Sequence, residues 1–314
     1  MEMELFVWNI NQRSSGQEIP PFVSEEIMNA DKEDKADIVV LTEFISAAHK
    51  ENIEKFIESL NEKYECFYNI DRKDGNGVLI AIRKDFVRSN NVKINKPIEC
   101  MEINNKKQQE QPNFLQLDMI VNEKPISIIG TRIRIETTCR SDLIERREQV
   151  LSLIDHIDEL KRKEKDKKKY KNIIIAGDFN NLKIYGKESE YYLTERKHYH
   201  GKVLFDTYNY HILKDDFFNY AEMNVSTPES ESELTWSWVG KGRCKPKFKE
   251  DHIILKGFKV SDKKYSWDFV KKDNGYGDLK PEDYKSHLVG FPDHAILTAD
   301  VELDEPFHNE EDTK

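Results

Sequence analysis

No apolar run approaches the ~18 to 20 residues that a membrane-spanning helix requires, so no helical span is expected and no membrane partner. The N-terminus enters a strand-like run at Leu5 without a positively charged leader or a long apolar stretch. Export is therefore not expected, and a cytoplasmic location is. The four cysteines, Cys66, Cys100, Cys139 and Cys244, form no close pair of the kind used for zinc or redox chemistry. Reduced thiols are the plain expectation. Positive charge is also short: Lys and Arg number 49 against 59 Asp and Glu, a formal net charge of -10. That balance excludes a globally basic surface for holding polyanions and leaves only a local basic groove. No internal repeat or low-complexity linker divides the 314 residues.

What is present is a series of buried strands and amphipathic helices. Leu5 to Trp8 and Asp37 to Thr42 read as strands separated by a polar, helix-compatible segment. Ile53, Phe56, Ile57 and Leu60 fall at helical spacing, predicting a helix from about Ala48 to Leu60. The turn Gly75-Asn76-Gly77 precedes an apolar run from Val78 to Ile82. Runs from Phe114 to Val121 and Ile126 to Ile135 flank Asn122-Glu123-Lys124-Pro125 as a hairpin. A helix opens at Ser141, with Leu143, Val150, Leu151, Ile154, Ile157 and Leu160 as its apolar stripe. Ile173 to Ala176 is a buried strand that runs into Gly177-Asp178, and further strands are expected around Leu234 to Trp238, His252 to Leu255 and Ala295 to Val301. The whole reads as one α/β domain over residues 1-303, followed by an acidic, fraying tail at 304-314.

Acids and amides cluster at the ends of these strands, where a rigid sheet can aim them into a shared cleft. Asn9 and Asn11 follow the first strand, Glu43 the second, and Asp178 and Asn180 the strand at Ile173. Asp251 and Asp293 each stand just before a C-terminal strand, and His294 follows Asp293. Grouped carboxylates repel one another, so their convergence would itself call for a cation.

The ordered set Trp8-Asn9-Ile10-Asn11, Leu41-Thr42-Glu43, Gly177-Asp178-Phe179-Asn180, Asp251-His252-Ile253-Ile254 and Asp293-His294-Ala295 resembles the motifs of the endonuclease/exonuclease/phosphatase superfamily. Each motif alone is a common strand-end turn, and the order of all five carries the resemblance. It implies a deoxyribonuclease I-like, four-layer α/β/β/α sandwich of two sheets flanked by helices. It also implies hydrolysis of phosphodiester bonds by a directly attacking water, with Mg2+ as cofactor and Mn2+ as substitute. Glu43 is then the leading metal ligand, with Asn11 and Asp293 ligating or steering its waters, as suits a hard ion that keeps several waters. Asp178 would orient or deprotonate the attacking water. Asn9 and Asn180 would hydrogen-bond around it, and His294 would contact the phosphate with its ring oriented by Asp251. His252 is read as a strand neighbour facing the opposite side.

Two departures from the pattern stand out. Many relatives carry histidine or tyrosine after the central strand, where this chain has Arg132. Its guanidinium cannot serve as a general acid but can hold a phosphate in two places, or it is an ion-paired strand arginine. Pro292 replaces the serine common before Asp-His, removing a hydroxyl and a backbone donor.

Substrate must be read from the loops. Trp236 and Trp238, followed by Lys245 and Lys247 just before Asp251, combine rings that can stack on bases with cations that can track phosphates. Nucleic acid, DNA or RNA, is accordingly the expected substrate. The alternatives are a phosphoinositide or other small phosphoester, with the tryptophans packed at a core edge and the lysines in a solvated loop, and a non-catalytic binding module.

Overall fold

The computed structural model describes residues 1–12, 18–29, 36–44, 50–69, 76–99, 101, 111–134, 140–163, 171–180, 197–199, 202–204, 210–228, 249–269 and 292–304. Its strands are β1 (Glu2–Asn9), β2 (Ile38–Phe44), β3 (Tyr64–Tyr68), β4 (Gly77–Arg83), β5 (Lys93–Ile94), β6 (Asn113–Val121), β7 (Lys124–Arg132) and β8 (Ile173–Asp178). The remaining strands are β9 (Lys197–Tyr199), β10 (Lys202–Leu204), β11 (Asn224–Ser226), β12 (Asp251–Lys256), β13 (Phe258–Ser266) and β14 (Ile296–Leu303). Helices α1 (Pro21–Asn29), α2 (Lys50–Leu60), α3 (Lys84–Ser89) and α4 (Arg140–Lys163) precede a helix at Tyr210–Asp216 that continues into a π-helical turn at Phe217–Ala221.

Two six-stranded mixed sheets form the frame, ordered β13-β14-β1-β2-β4-β3 and β11-β12-β8-β7-β6-β5. Each has one parallel pair near its centre, β1 with β2 and β7 with β8, and antiparallel neighbours elsewhere. The sheets bury one face each against the other. Val7, Val40 and Ile80 from the first meet Leu117, Ile128, Ile174 and Ile253 from the second in one apolar cluster. The period of two along each strand sends the intervening residues outward. Phe6, Trp8, Val39 and Leu41 pack under Val23 and Ile27 of α1 and Ile53 and Phe56 of α2. Ile129, Ile175 and Ile254 pack under Val150, Leu153, Ile154 and Ile157 of α4. Strands buried on both faces explain the continuous apolar runs in β2, β4 and β8, and each fully buried aliphatic side chain contributes roughly 1.5 to 3 kcal/mol. The result is the α/β/β/α sandwich anticipated from the sequence.

The sheets pack tightly at Gly130, where a Cβ atom would stand 2.6 Å from Val78 Cγ1. Pro21 opens α1, a position where its missing N–H costs nothing. The hairpin turn falls at Asn122 and Glu123, both with positive φ, and β7 ends at Arg132 rather than continuing to Ile135. Helix α2 begins at Lys50, with 45–49 outside the described residues. In α4, Leu151 and Leu160 are only partly buried, and Leu153 completes the stripe. Strands β3, β5, β9, β10, β11 and β13 were not anticipated. The strand expected at Leu234 to Trp238 and the tail beyond Asp304 lie outside the described residues.

Candidate active site

The parallel pairs end side by side, one in each sheet, and the functional side chains stand on those ends. In the second sheet the register puts Arg132 of β7 beside Asp178 of β8, and Asp178 beside Asp251 of β12. Three charged residues therefore form one row across three hydrogen-bonded strands. In the first sheet Asn9 ends β1 beside Thr42, and Glu43 follows at a register irregularity between Leu41 and Phe44.

Three of the candidate site residues also carry backbone strain. Asn11, Glu43 and Asn180 adopt φ of 51°, 49° and 47°, a left-handed conformation that ordinary L-residues avoid. Each turns the chain at the mouth of a strand, and the irregularity at Glu43 re-aims a side chain as bulges do. Gly177 has φ of 146°, and a Cβ there would collide with the Thr131 backbone carbonyl. Glycine is therefore required immediately before Asp178 so that β8 can lie against β7.

Buried hydrogen bonds tie the residues together across the sheets. Asn9 Nδ2 donates to Asp178 Oδ2 at 2.9 Å and lies 3.5 Å from His294 Nε2. Asn11 N donates to Asn9 Oδ1 at 3.0 Å, which orients that amide. Asn180 donates to Asp178 from its backbone N at 2.8 Å and its side-chain Nδ2 at 3.1 Å. His294 Nδ1 lies 2.8 Å from Asp251 Oδ2, leaving Nε2 to face Asn9. Tyr265 donates to the Asp251 carbonyl at 2.5 Å, and Trp8 Nε1 donates to the His294 carbonyl at 2.9 Å. His252 turns away from this cluster, its Nδ1 lying 2.9 Å from Thr227 Oγ1.

Arg132 is ion-paired. Its Nη2 is 2.5 Å from Glu43 Oε1 and its Nε is 3.5 Å from Asp178 Oδ2, with all three side chains at most 8% exposed. Asp293 is half-buried beside His294 and acts on its charge. Two further members were absent from the sequence reading. Glu250 is buried, and one oxygen lies within 4.8 Å of ligand atoms of Asp178 and His294. Arg146 of α4 donates to the Asn180 carbonyl at 2.8 Å and acts on Glu250. Trp236, Trp238, Lys245 and Lys247 lie outside the described residues.

Burial and mutual charge set the protonation of the group. Asp178 is pushed up to about 6, first by burial and then by Asp251 and Glu43, against the pull of His294 and Arg132. Glu250 is pushed up to about 8 by burial and by Asp178. Burial alone would lower His294, but Asp251, with its charge and hydrogen bond, and then Asp178 and Asp293 outweigh it and raise the imidazole well above its ordinary value.

These groups fit a hard divalent cation. Five carboxyl side chains, Glu43, Asp178, Glu250, Asp251 and Asp293, face three cationic side chains, Arg132, Arg146 and His294. The excess is negative and the donors are nearly all oxygen, the set preferred by such ions. Among the described residues, Asp178, Glu250 and His294 form a buried group of three whose metal-capable atoms all lie within 4.8 Å of one another. This trio differs from the ligands that the resemblance implies, since Glu43 is held here by Arg132.

The comparisons with known proteins match this architecture. The chain superposes on ANGEL2, described as a 2',3'-cyclic phosphatase, with a TM-score of 0.58 and 15% identity over 97% of this chain and 96% of that one. At this identity the likeness is one of fold. The endonuclease/exonuclease/phosphatase from Bacteroides vulgatus gives a TM-score of 0.57 at 14% identity, over 96% and 99% of the two chains. TDP2 from D. rerio, complexed with a single-strand DNA product, gives 0.53 at 14% identity over 96% and 99%. No protein-family model and no curated protein sequence matches the chain. Among the described residues no helix is long and apolar enough to cross a membrane.

Proposed function

We propose that this chain is a divalent-metal-dependent phosphodiesterase that uses a directly attacking water, with nucleic acid as its substrate class. The observation that carries the reading is the row Arg132, Asp178 and Asp251, with Asn9 bonded to Asp178 and His294 to Asp251; it supports a reading in which one carboxylate orients a water and one imidazolium meets the phosphate. A bound Mg2+ would supply Lewis-acid polarisation of the phosphate and neutralise its charge. Glu43, Asn11 and Asp293 are the residues assigned to hold it.

The chain's own groups account for the rest. Asp178 accepts from Asn9 and Asn180, which fixes its carboxylate for orienting a water and taking its proton. His294 is kept cationic by Asp251 and stabilises charge that grows on the phosphoryl oxygens. Asn9 Nδ2, near both, lies where it can steer the water or a phosphate oxygen. No side chain is needed as a covalent nucleophile.

The TDP2 relative bound to a single-strand DNA product supports the nucleic-acid reading. The segment with Trp236, Trp238, Lys245 and Lys247, which precedes Asp251 in the sequence, is assigned to substrate contact, since rings can stack on bases and cations can track phosphates. A small or cyclic phosphoester is the second reading, favoured by the likeness to a 2',3'-cyclic phosphatase. A panel of single- and double-stranded DNA, RNA, cyclic phosphate ends and phosphoinositides, each with Mg2+ and with chelator, separates them. Preferential metal-dependent cleavage of a polynucleotide supports the first, and turnover confined to small esters replaces it with the second.

A further inference from the structure

Arg132 occupies a position that charge alone makes contradictory. It stands at the end of β7, buried, with Glu43 at 2.5 Å and Asp178 at 3.5 Å. Glu43 is the carboxylate assigned to the metal, and Asp178 is the one assigned to the water. A guanidinium on Glu43 Oε1 supplies the charge that a divalent ion would otherwise supply, and it repels that ion from the remaining oxygen at short range in a poorly screened interior. Removing Arg132 without an ion would leave two buried carboxylates beside each other. The same planar fork is the side chain best suited to a phosphate's paired oxygens.

We propose that Arg132 is an internal counter-cation which Glu43 exchanges for the divalent ion, the released guanidinium then holding the substrate phosphate beside Asp178. The inference rests on the metal-dependent phosphoesterase reading. It makes Arg132 set ion affinity and phosphate affinity in opposite directions. A residue that merely braced the strand ends would move both the same way.

The probes are Mn2+ alone and inorganic phosphate at saturating Mn2+, each titrated calorimetrically into wild type, R132M and R132K. R132M is expected to bind Mn2+ at least tenfold more tightly and phosphate at least tenfold more weakly. It should also melt below wild type without ion and regain that loss with Mn2+. R132K keeps the charge on a single point that cannot span both carboxylates, so it should move in the same directions by several-fold. If R132M does not fold, R132K alone decides. Mn2+ affinity that is unchanged, reduced or undetectable in the variants overturns the proposal, as does phosphate affinity that stays at the wild-type value. These isotherms require no turnover. A wild type that hydrolyses no phosphoester would remove the proposed function while leaving the exchange measurable, and an active wild type with unmoved isotherms would remove only the exchange.

Discussion

Trp8 donates its indole N–H to the backbone carbonyl of His294 at 2.9 Å, joining the first strand to a loop 286 positions later. The ring is fully buried against Phe22 and Phe269, so the bond is rigid as well as shielded. Trp8 thereby orients the segment that carries Asp293 and His294.

Trp8→Phe keeps an aromatic ring but leaves that carbonyl without its indole donor and a gap beside Phe269. We expect a stability loss of about 1 to 3 kcal/mol and a drop in turnover larger than any change in KM. Urea unfolding and steady-state kinetics measure the two effects. Full turnover in a destabilised variant would confine Trp8 to the core.

Asp178→Asn and His294→Ala are each expected to lower turnover by roughly two to four orders of magnitude, as for groups that act in the transition state. Their side chains share Asn9, so the losses should not multiply in the double variant. Multiplicative losses would place the two in separate events.

Asp251→Asn removes the charge that outweighs burial at His294. The imidazole should then lose its proton at lower pH, and the alkaline limb of the pH–rate profile should shift with it. Stability shares the sign: a histidine raised in the folded state stabilises at low pH, and that contribution is lost as pH rises through its folded value. An imidazole NMR titration reads the shift directly, and an unmoved His294 would contradict the pairing as its cause.

Glu250, pushed up to about 8 from 4.5, keeps in the folded chain a proton that the unfolded chain has already released. Stability without metal should therefore fall as pH rises between those values. Glu250→Gln should flatten the fall and melt above wild type at pH 9 in chelator. Melting curves from pH 5 to 9 test this, and parallel curves for the two proteins would show that the folded chain does not retain that proton.

Much of this site was legible because strand ends are legible. Asn9, Glu43 and Asp178 each follow an apolar run too hydrophobic to be a surface strand, and a polar residue at that border is positioned by the sheet itself. Asp251 and His294 were placed by motif order, and their contact at 2.8 Å agrees with it. Glu250 escaped because alternation along a strand makes the neighbour of an inward acid look outward. It precedes the first residue of β12, where that alternation has not begun. Arg146 escaped because helical spacing reveals the apolar stripe of α4 and says little about which charge on its rim overhangs β8. Arg132 was readable as a position. Its pairing with Glu43 joins different sheets, which no local pattern encodes. Strand β13, FKVSDKKYS, is largely solvent-facing at a sheet edge and so lacks the apolar run by which the central strands announce themselves.

The most direct measurement is hydrolysis of bis-p-nitrophenyl phosphate, a minimal ester that needs no recognition loop, by wild type and Glu43→Gln across a Mg2+ titration with a chelator control. Turnover is expected to rise with Mg2+, to vanish in chelator, and in the variant to be lower and to saturate at higher ion concentration. Equal activity with and without chelator, or a variant indistinguishable from wild type at every Mg2+ concentration, would contradict it.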